Sequence, residues 1–120
     1  MENVPLTVRQ SFDREDDSIR IIILDGYLNF ETYEVAKINM NRLLENRLYR
    51  IVVDLSETKY ISSSGWAVFL GVLGAVQANG GDIKLAAMTD GVKFIFDALE
   101  LNNVLKNYDT VKEAVEAFKK

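Results

Sequence analysis

The sequence predicts a single α/β domain, residues 1–120, with a mixed sheet of four to five strands and four helices in the order ββαβαβαβα. Three observations carry this prediction. The first two strand-like segments, Leu6–Phe12 and Ile19–Leu24, are joined only by a short polar turn, Arg14-Glu15-Asp16-Asp17, which allows nothing but an antiparallel pair. After them, short apolar runs alternate with stretches of helical period, the pattern of parallel strands joined by right-handed crossovers. Finally, 120 residues with 48% apolar and 27% charged content suit one ordinary globular core.

The elements follow in order. Pro5 stands just before the first strand, where a missing N–H donor is harmless. Leu6, Val8 and Phe12 alternate with Thr7, Arg9 and Ser11, so the first strand is half exposed. Ile19-Arg20-Ile21-Ile22-Ile23-Leu24 is nearly continuous in apolar residues, which places the second strand centrally. Asp25-Gly26 reads as a turn that ends it. A first helix is predicted over about Thr32–Glu45, with Ala36, Met40, Leu43 and Leu44 on its inner stripe. The third strand is Ile51–Leu55.

A second helix follows over about Ser64–Ala78, closed by Gly80-Gly81 as a C-cap. Its segment Trp66–Val76 is apolar nearly all round, which predicts a helix buried against the sheet. The fourth strand is Ile83–Met88. Asp90 is read as the cap of a short third helix carrying Val92, Ile95, Phe96 and Leu99 inward. A short strand near Val104–Tyr108 precedes the last helix, opened by the capping box Thr110-x-x-Glu113.

Composition excludes much of chemistry. The chain contains no cysteine and no histidine, so thiolate metal sites, disulfides and every Ser-His or Cys-His nucleophile pair are absent. No phosphate-cradling glycine loop is present. No enzyme function and no cofactor or metal is therefore expected. The net charge of −4 argues against nucleic-acid or anionic-membrane surfaces. The longest apolar run, Trp66–Val76, is far shorter than the ~20 residues of a membrane span. Met1–Pro5 lacks the basic and apolar regions of a signal peptide, so a cytoplasmic location is expected.

The stretch that could still carry function is Ser62-Ser63-Ser64-Gly65, between the third strand and the second helix. The carboxyl end of a strand in an α/β sheet is the usual place for a site. One of these serines can cap the helix, and one can accept a phosphate where the helix start favours negative charge. Trp66, at the start of the helix, can serve as an exposed anchor or as core. Asp54 and Ser56 read as turn formers, since one carboxylate makes a poor metal site. Asp13, Glu15, Asp16 and Asp17 read as a solvated hairpin tip.

The wider pattern is more specific. Val53-Asp54-Leu55-Ser56-x-x-x-Tyr60-Ile61-Ser62-Ser63-Ser64-Gly65-Trp66-Ala67-Val68 resembles the signature of STAS domains, in particular the anti-sigma factor antagonists. Gly26-Tyr27-Leu28-Asn29 resembles the family's approach to its first helix, and Gly80-Gly81-Asp82-Ile83-Lys84-Leu85 its turn into the next strand. Val92–Leu101 resembles the helix that follows, so the likeness covers essentially the whole chain.

The resemblance implies a non-catalytic protein that binds an anti-sigma factor, itself a serine kinase, and thereby frees a sigma factor. It implies phosphorylation at Ser64, with Ser63 and Ser62 as alternatives, and reversal by a serine phosphatase. The implied contact surface comprises Tyr27, Asn29, Ser62, Ser63, Ser64, Gly65 and Trp66. Ser62 departs from the family, which usually has aspartate there. That departure keeps a second reading open, an unphosphorylated STAS subunit of a membrane transporter or lipid-trafficking complex.

Overall fold

The long second strand organises the molecule. In a computed structural model, describing residues 6–120, β2 (Ile19–Leu28) lies beside β1 (Leu6–Phe12) on one edge. Its other edge is shared by two strands, β3 (Arg50–Asp54) along its first half and β4 (Thr58–Ile61) along its second. Beyond β3 the sheet continues through β5 (Asp82–Ala86) and β6 (Lys106–Tyr108). The helices are α1 (Tyr33–Glu45), α2 (Ser63–Ala78), α3 (Asp90–Ala98) and α4 (Val111–Phe118), with a short 3-10 turn at Leu101–Asn103. Pro5 lies outside the described residues.

The β1–β2 pair is antiparallel, from Leu6 opposite Gly26 to Phe12 opposite Arg20, and every other pairing is parallel, as the sequence predicts. Among the described residues the sheet nevertheless has six strands rather than four to five. Asp25-Gly26 does not end β2. Gly26 takes φ 121°, a conformation open to glycine and costly for other residues, and the register shifts between Gly26 and Tyr27. That irregularity lets one strand leave β3 and continue against β4. The four residues of β4 pair with β2 alone, and Thr58 ties them down by donating its hydroxyl to the Leu24 carbonyl at 2.7 Å.

Alternation along the strands divides the core in two. Ile22, Leu24, Leu28, Ile51, Val53, Ile83 and Leu85 face α1, α2 and α3, where they meet Met40, Phe69, Val76 and Phe96. Ile19, Val52 and Ala86 face α4 and its Ala114 and Val115. The inward set predicted for α1 is buried at Ala36, Met40 and Leu43.

Helix ends explain several boundaries. Gly80 takes φ 82°, and the Gly81 N–H reaches the Val76 carbonyl at 3.0 Å, closing α2 as expected. A side chain on Gly81 would run into the Tyr49 carbonyl. Thr89, not Asp90, caps α3, accepting from the Val92 N–H at 3.3 Å, while Asp90 is the helix's first residue. Thr110 caps α4 by accepting from the Glu113 N–H at 3.1 Å.

The acidic hairpin is more than a solvated tip. Lys119, just past α4, pairs with Asp13 at 3.0 Å and with Glu15, and Arg50 bridges Asp16 at 2.9 Å and the Phe118 carbonyl. Hydrogen bonding from Lys119 holds the Asp13 carboxyl below its ordinary pKa, and hydrogen bonds from Ser18 do the same for Asp16. The Lys119 ammonium is raised in turn by Glu15 and Asp13. The hairpin thus latches the last helix.

Candidate functional site

The site is built where β2 and β4 end. The Ser62 N–H donates to the Leu28 carbonyl at 2.9 Å, which stitches the start of α2 to the end of β2. Ser62 is extended (φ −83°, ψ 175°), and its Oγ accepts from the Gly65 N–H at 3.4 Å. Ser62 is therefore the N-cap of α2. An aspartate there would cap equally well and add a charge; serine keeps the cap and leaves the helix start uncharged.

Gly65 sets how closely that start can approach the sheet. A Cβ at this position would lie 2.7 Å from Leu28 Cγ, 2.8 Å from Ile61 Cγ2 and 2.9 Å from the Leu28 carbonyl oxygen. Without it, the first turn of α2 lies directly on the ends of β2 and β4. Ser63 is exposed and Ser64 half-buried, and among the described residues neither hydroxyl has a hydrogen-bond partner. Capping thus occupies one serine of the three and leaves two free.

Trp66 takes the core alternative. Its side chain is 3% exposed and packs against Phe96 (ring centroids 5.6 Å) and edge-on to Phe69 (6.3 Å). Its Nε1–H has no hydrogen-bond partner among the described residues. Trp66 is thus no exposed anchor, and buried Gly65 acts through the backbone alone.

The loop before α1 completes the rim. Asn29 accepts from the N–H groups of Thr32 (3.1 Å) and Tyr33 (2.8 Å) through its carbonyl and from Glu31 N–H (2.9 Å) through its side chain. Thr32 Oγ1 accepts from the Asn29 N–H and donates to the Tyr27 carbonyl at 2.6 Å. This fastening turns Phe30 outward, 78% exposed. Tyr27 goes elsewhere. Paired with Tyr60 and next to core-facing Leu28, it lies on the sheet face away from α1 and α2. Asn29 and the serines are brought together, whereas Tyr27 points away from them.

Between α1 and α2 runs an open groove of about 540 Å³. Phe30, Tyr33, Lys37 and Asn41 form one wall, and Ser64, Ala67, Val68, Gly71 and Val72 the other. Sequence reasoning missed this groove because Trp66–Val76 reads as a wholly buried helix. In the structure α2 buries only one side; Ala67, Leu70, Gly71, Gly74 and Ala75 face solvent. The available signal was the total lack of charge across the 16 residues of α2. The neighbouring Glu34 carboxylate raises the Tyr33 phenol pKa, which leaves Lys37 the one charged side chain lining the groove among the described residues.

No group of carboxylates suitable for a metal occurs among the described residues, and Asp54 serves a turn, accepting from the Ser56 N–H at 2.9 Å. Among the described residues no helix is long and apolar enough to cross a membrane.

Topology and site together define an α/β module with two unpaired serine hydroxyls at the start of α2, beside an open groove between α1 and α2. Its sequence matches the STAS domain over residues 13–114, and the chain belongs to that family. A Thermotoga maritima protein provisionally named an anti-sigma factor antagonist is 26% identical over 101 residues, covering 83% of this chain and 89% of the relative. Among solved structures, an anti-sigma factor antagonist from Mycobacterium paratuberculosis superposes with a TM-score of 0.85 at 15% identity, over 96% of this chain and 95% of the other. The Bacillus protein SpoIIAA shares the fold in both its unphosphorylated form (TM-score 0.72, 16% identity) and its phosphorylated form (0.67, 17%). Each alignment covers 94% of this chain and 98% of SpoIIAA.

Proposed function

We propose that this chain is an anti-sigma factor antagonist, a cytoplasmic and non-catalytic binding protein whose hold on its partner is broken by phosphate on Ser64. The partner is an anti-sigma factor that is also a serine kinase, and a serine phosphatase restores the binding form. The names of the relatives support the binding role, and SpoIIAA, solved with and without phosphate, supports the switch. The observation that carries the choice of residue is the division of labour among the serines. Ser62 Oγ is committed to the cap, while Ser64 Oγ is free at the rim of the groove.

In the transfer, Ser64 Oγ attacks the γ-phosphorus of ATP held by the kinase. The Oγ–P bond forms as the bond to the ADP oxygen breaks, and the hydroxyl proton leaves to the kinase. The product carries about −1.5 to −2 charges at pH 7. Placed against the uncharged face of α2, that charge must be desolvated in any complex covering the groove, so the partner leaves while the fold stays.

The test is incubation with candidate anti-sigma kinases and ATP, followed by mass mapping of the modified residue. Phosphate is expected on Ser64, with none after Ser64→Ala, and Ser64→Asp should weaken kinase binding at least tenfold. Phosphate on none of the three serines, or full binding by Ser64→Asp, overturns the switch.

A further inference from the structure

We infer that Lys37 is the counter-ion for phosphate on Ser64, pairing with it across the groove. The inference rests on the reading of Ser64 as acceptor and goes beyond it by assigning the group that receives the phosphate within the same chain.

Lys37 lines the groove opposite the wall that carries Ser64. It is exposed and forms no ion pair among the described residues, unlike Arg9, Arg50, Lys84, Lys93, Lys106 and Lys119, which all do. It is therefore available without breaking an existing contact. Tyr33, Lys37 and Asn41 recur every fourth residue and form one ladder along α1.

Because α1 and α2 both connect parallel strands on one face of the sheet, they run parallel, with their N-termini at the same end. Ser64 lies in the first turn of α2. Lys37 lies four residues, about 6 Å of helical rise, below Tyr33 at the start of α1. Helical side chains lean back toward their own N-terminus, so the Lys37 stem rises toward the level of Ser64.

The electrostatics favour the same pairing. With no charge on α2, nothing on that wall competes for either partner. Glu31 and Glu34 are the acids at the start of α1; Glu34 lies against the Tyr33 phenol, and neither carboxylate lines the groove. Tyr33 stays a neutral phenol. A dianion there meets the N–H groups of the first turn of α2 on one side and one ammonium on the other. The Lys37 ammonium is thereby occupied, so a partner group bound to it would be displaced by the same event.

The test installs phosphoserine at position 64 by genetic encoding, without the kinase, and follows its phosphorus NMR signal against pH. The second ionisation of the phosphate is expected below its ordinary value near 6. Lys37→Gln should move that midpoint up by about half a unit, the size of a solvent-exposed charge pair, and 1 M salt should reduce the difference. Lys37→Arg should keep the low midpoint. In the unphosphorylated protein, Lys37→Gln should leave the melting temperature unchanged, which separates ion pairing from a structural role. Identical titrations for the parent and Lys37→Gln overturn the inference, even if the kinase modifies Ser64. Should the kinase fail to modify Ser64 while the Lys37→Gln shift is present, the switch reading falls and the ion pair stands.

Discussion

Three helices cover one face of the sheet and a single helix covers the other, and the two layers are fastened by different means. On the first face, Phe69, Met40, Val76 and Phe96 of the helices interdigitate with Leu24, Leu28, Val53 and Leu85 of the strands, with little polar support. On the second, α4 contributes only Ala114 and Val115 as buried apolar side chains and is held at its end by Lys119, Arg50 and the acidic hairpin. The first layer is stabilised by area and packing, which neither salt nor moderate pH changes alter. The second depends in part on charge. The candidate site sits on the apolar layer, so a phosphate can be added at its rim while the body beneath stays rigid.

The sharpest way to separate the layers is to damage the apolar one. Phe69→Ala removes a ring that is 1% exposed and packed against Trp66. It should cost about 3–5 kcal/mol in denaturant titration. That cost should be the same in 0.05 M and 0.5 M salt. A loss below about 1 kcal/mol would show that the α2 layer contributes far less than its packing implies.

Acid should act on the other layer first. The folded protein keeps the Asp13 and Asp16 carboxyls ionised to lower pH than the unfolded chain does. Their contribution is complete above the ordinary aspartate pKa near 4 and is lost as pH falls through the lowered values. Lys119 behaves in the opposite sense. Raised in the fold, it contributes fully below the ordinary lysine pKa near 10.4 and loses its contribution only in stronger alkali. Amide exchange in α4 should therefore rise, relative to α2, as the protein is taken from pH 6 to pH 3. An equal change in both helices, once the intrinsic pH dependence of exchange is divided out, would mean that the hairpin latch contributes nothing particular to α4.

The same contrast governs how much was legible in the sequence. One-sided periodicity located α1 and α4, because burial of one face dominates the choice of side chains there, whereas α2 was located by an unbroken apolar run between the serines and Gly80-Gly81. The serine cap of α2 was legible because capping demands a short side chain with an acceptor oxygen at a helix start. The strand β4 was not: its Thr58-Lys59-Tyr60-Ile61 pairs on one edge only, and half of it faces solvent, so it shows no apolar run. Gly26 misled for a related reason, since a glycine that permits a bulge within a strand looks the same as one that ends it. The latch was hidden because Asp13 and Lys119 are 106 positions apart, and only the fold brings them together.

The smallest expected effect lies at Lys84, where the two means of fastening meet. This lysine is buried under α4, with its Nζ 3.2 Å from Asp82 Oδ2, 4.7 Å from the centre of the Phe118 ring and 5.6 Å from that of Tyr108. The two charges of a buried pair attract each other, but desolvation offsets much of that attraction. Lys84→Met keeps the stem that fills the space and removes the ammonium. Asp82 is not orphaned by the change, since it still accepts from the Ile83 N–H at 2.9 Å and lies 3.7 Å from Lys106. Stability should therefore stay within about 1 kcal/mol of the parent in denaturant titration. Lys84→Ala, which also removes the stem, should cost more because it leaves a cavity under Phe118. If Met and Ala instead prove equally damaging, the ammonium and not the packed stem holds α4 down, and the second layer is charge-fastened throughout.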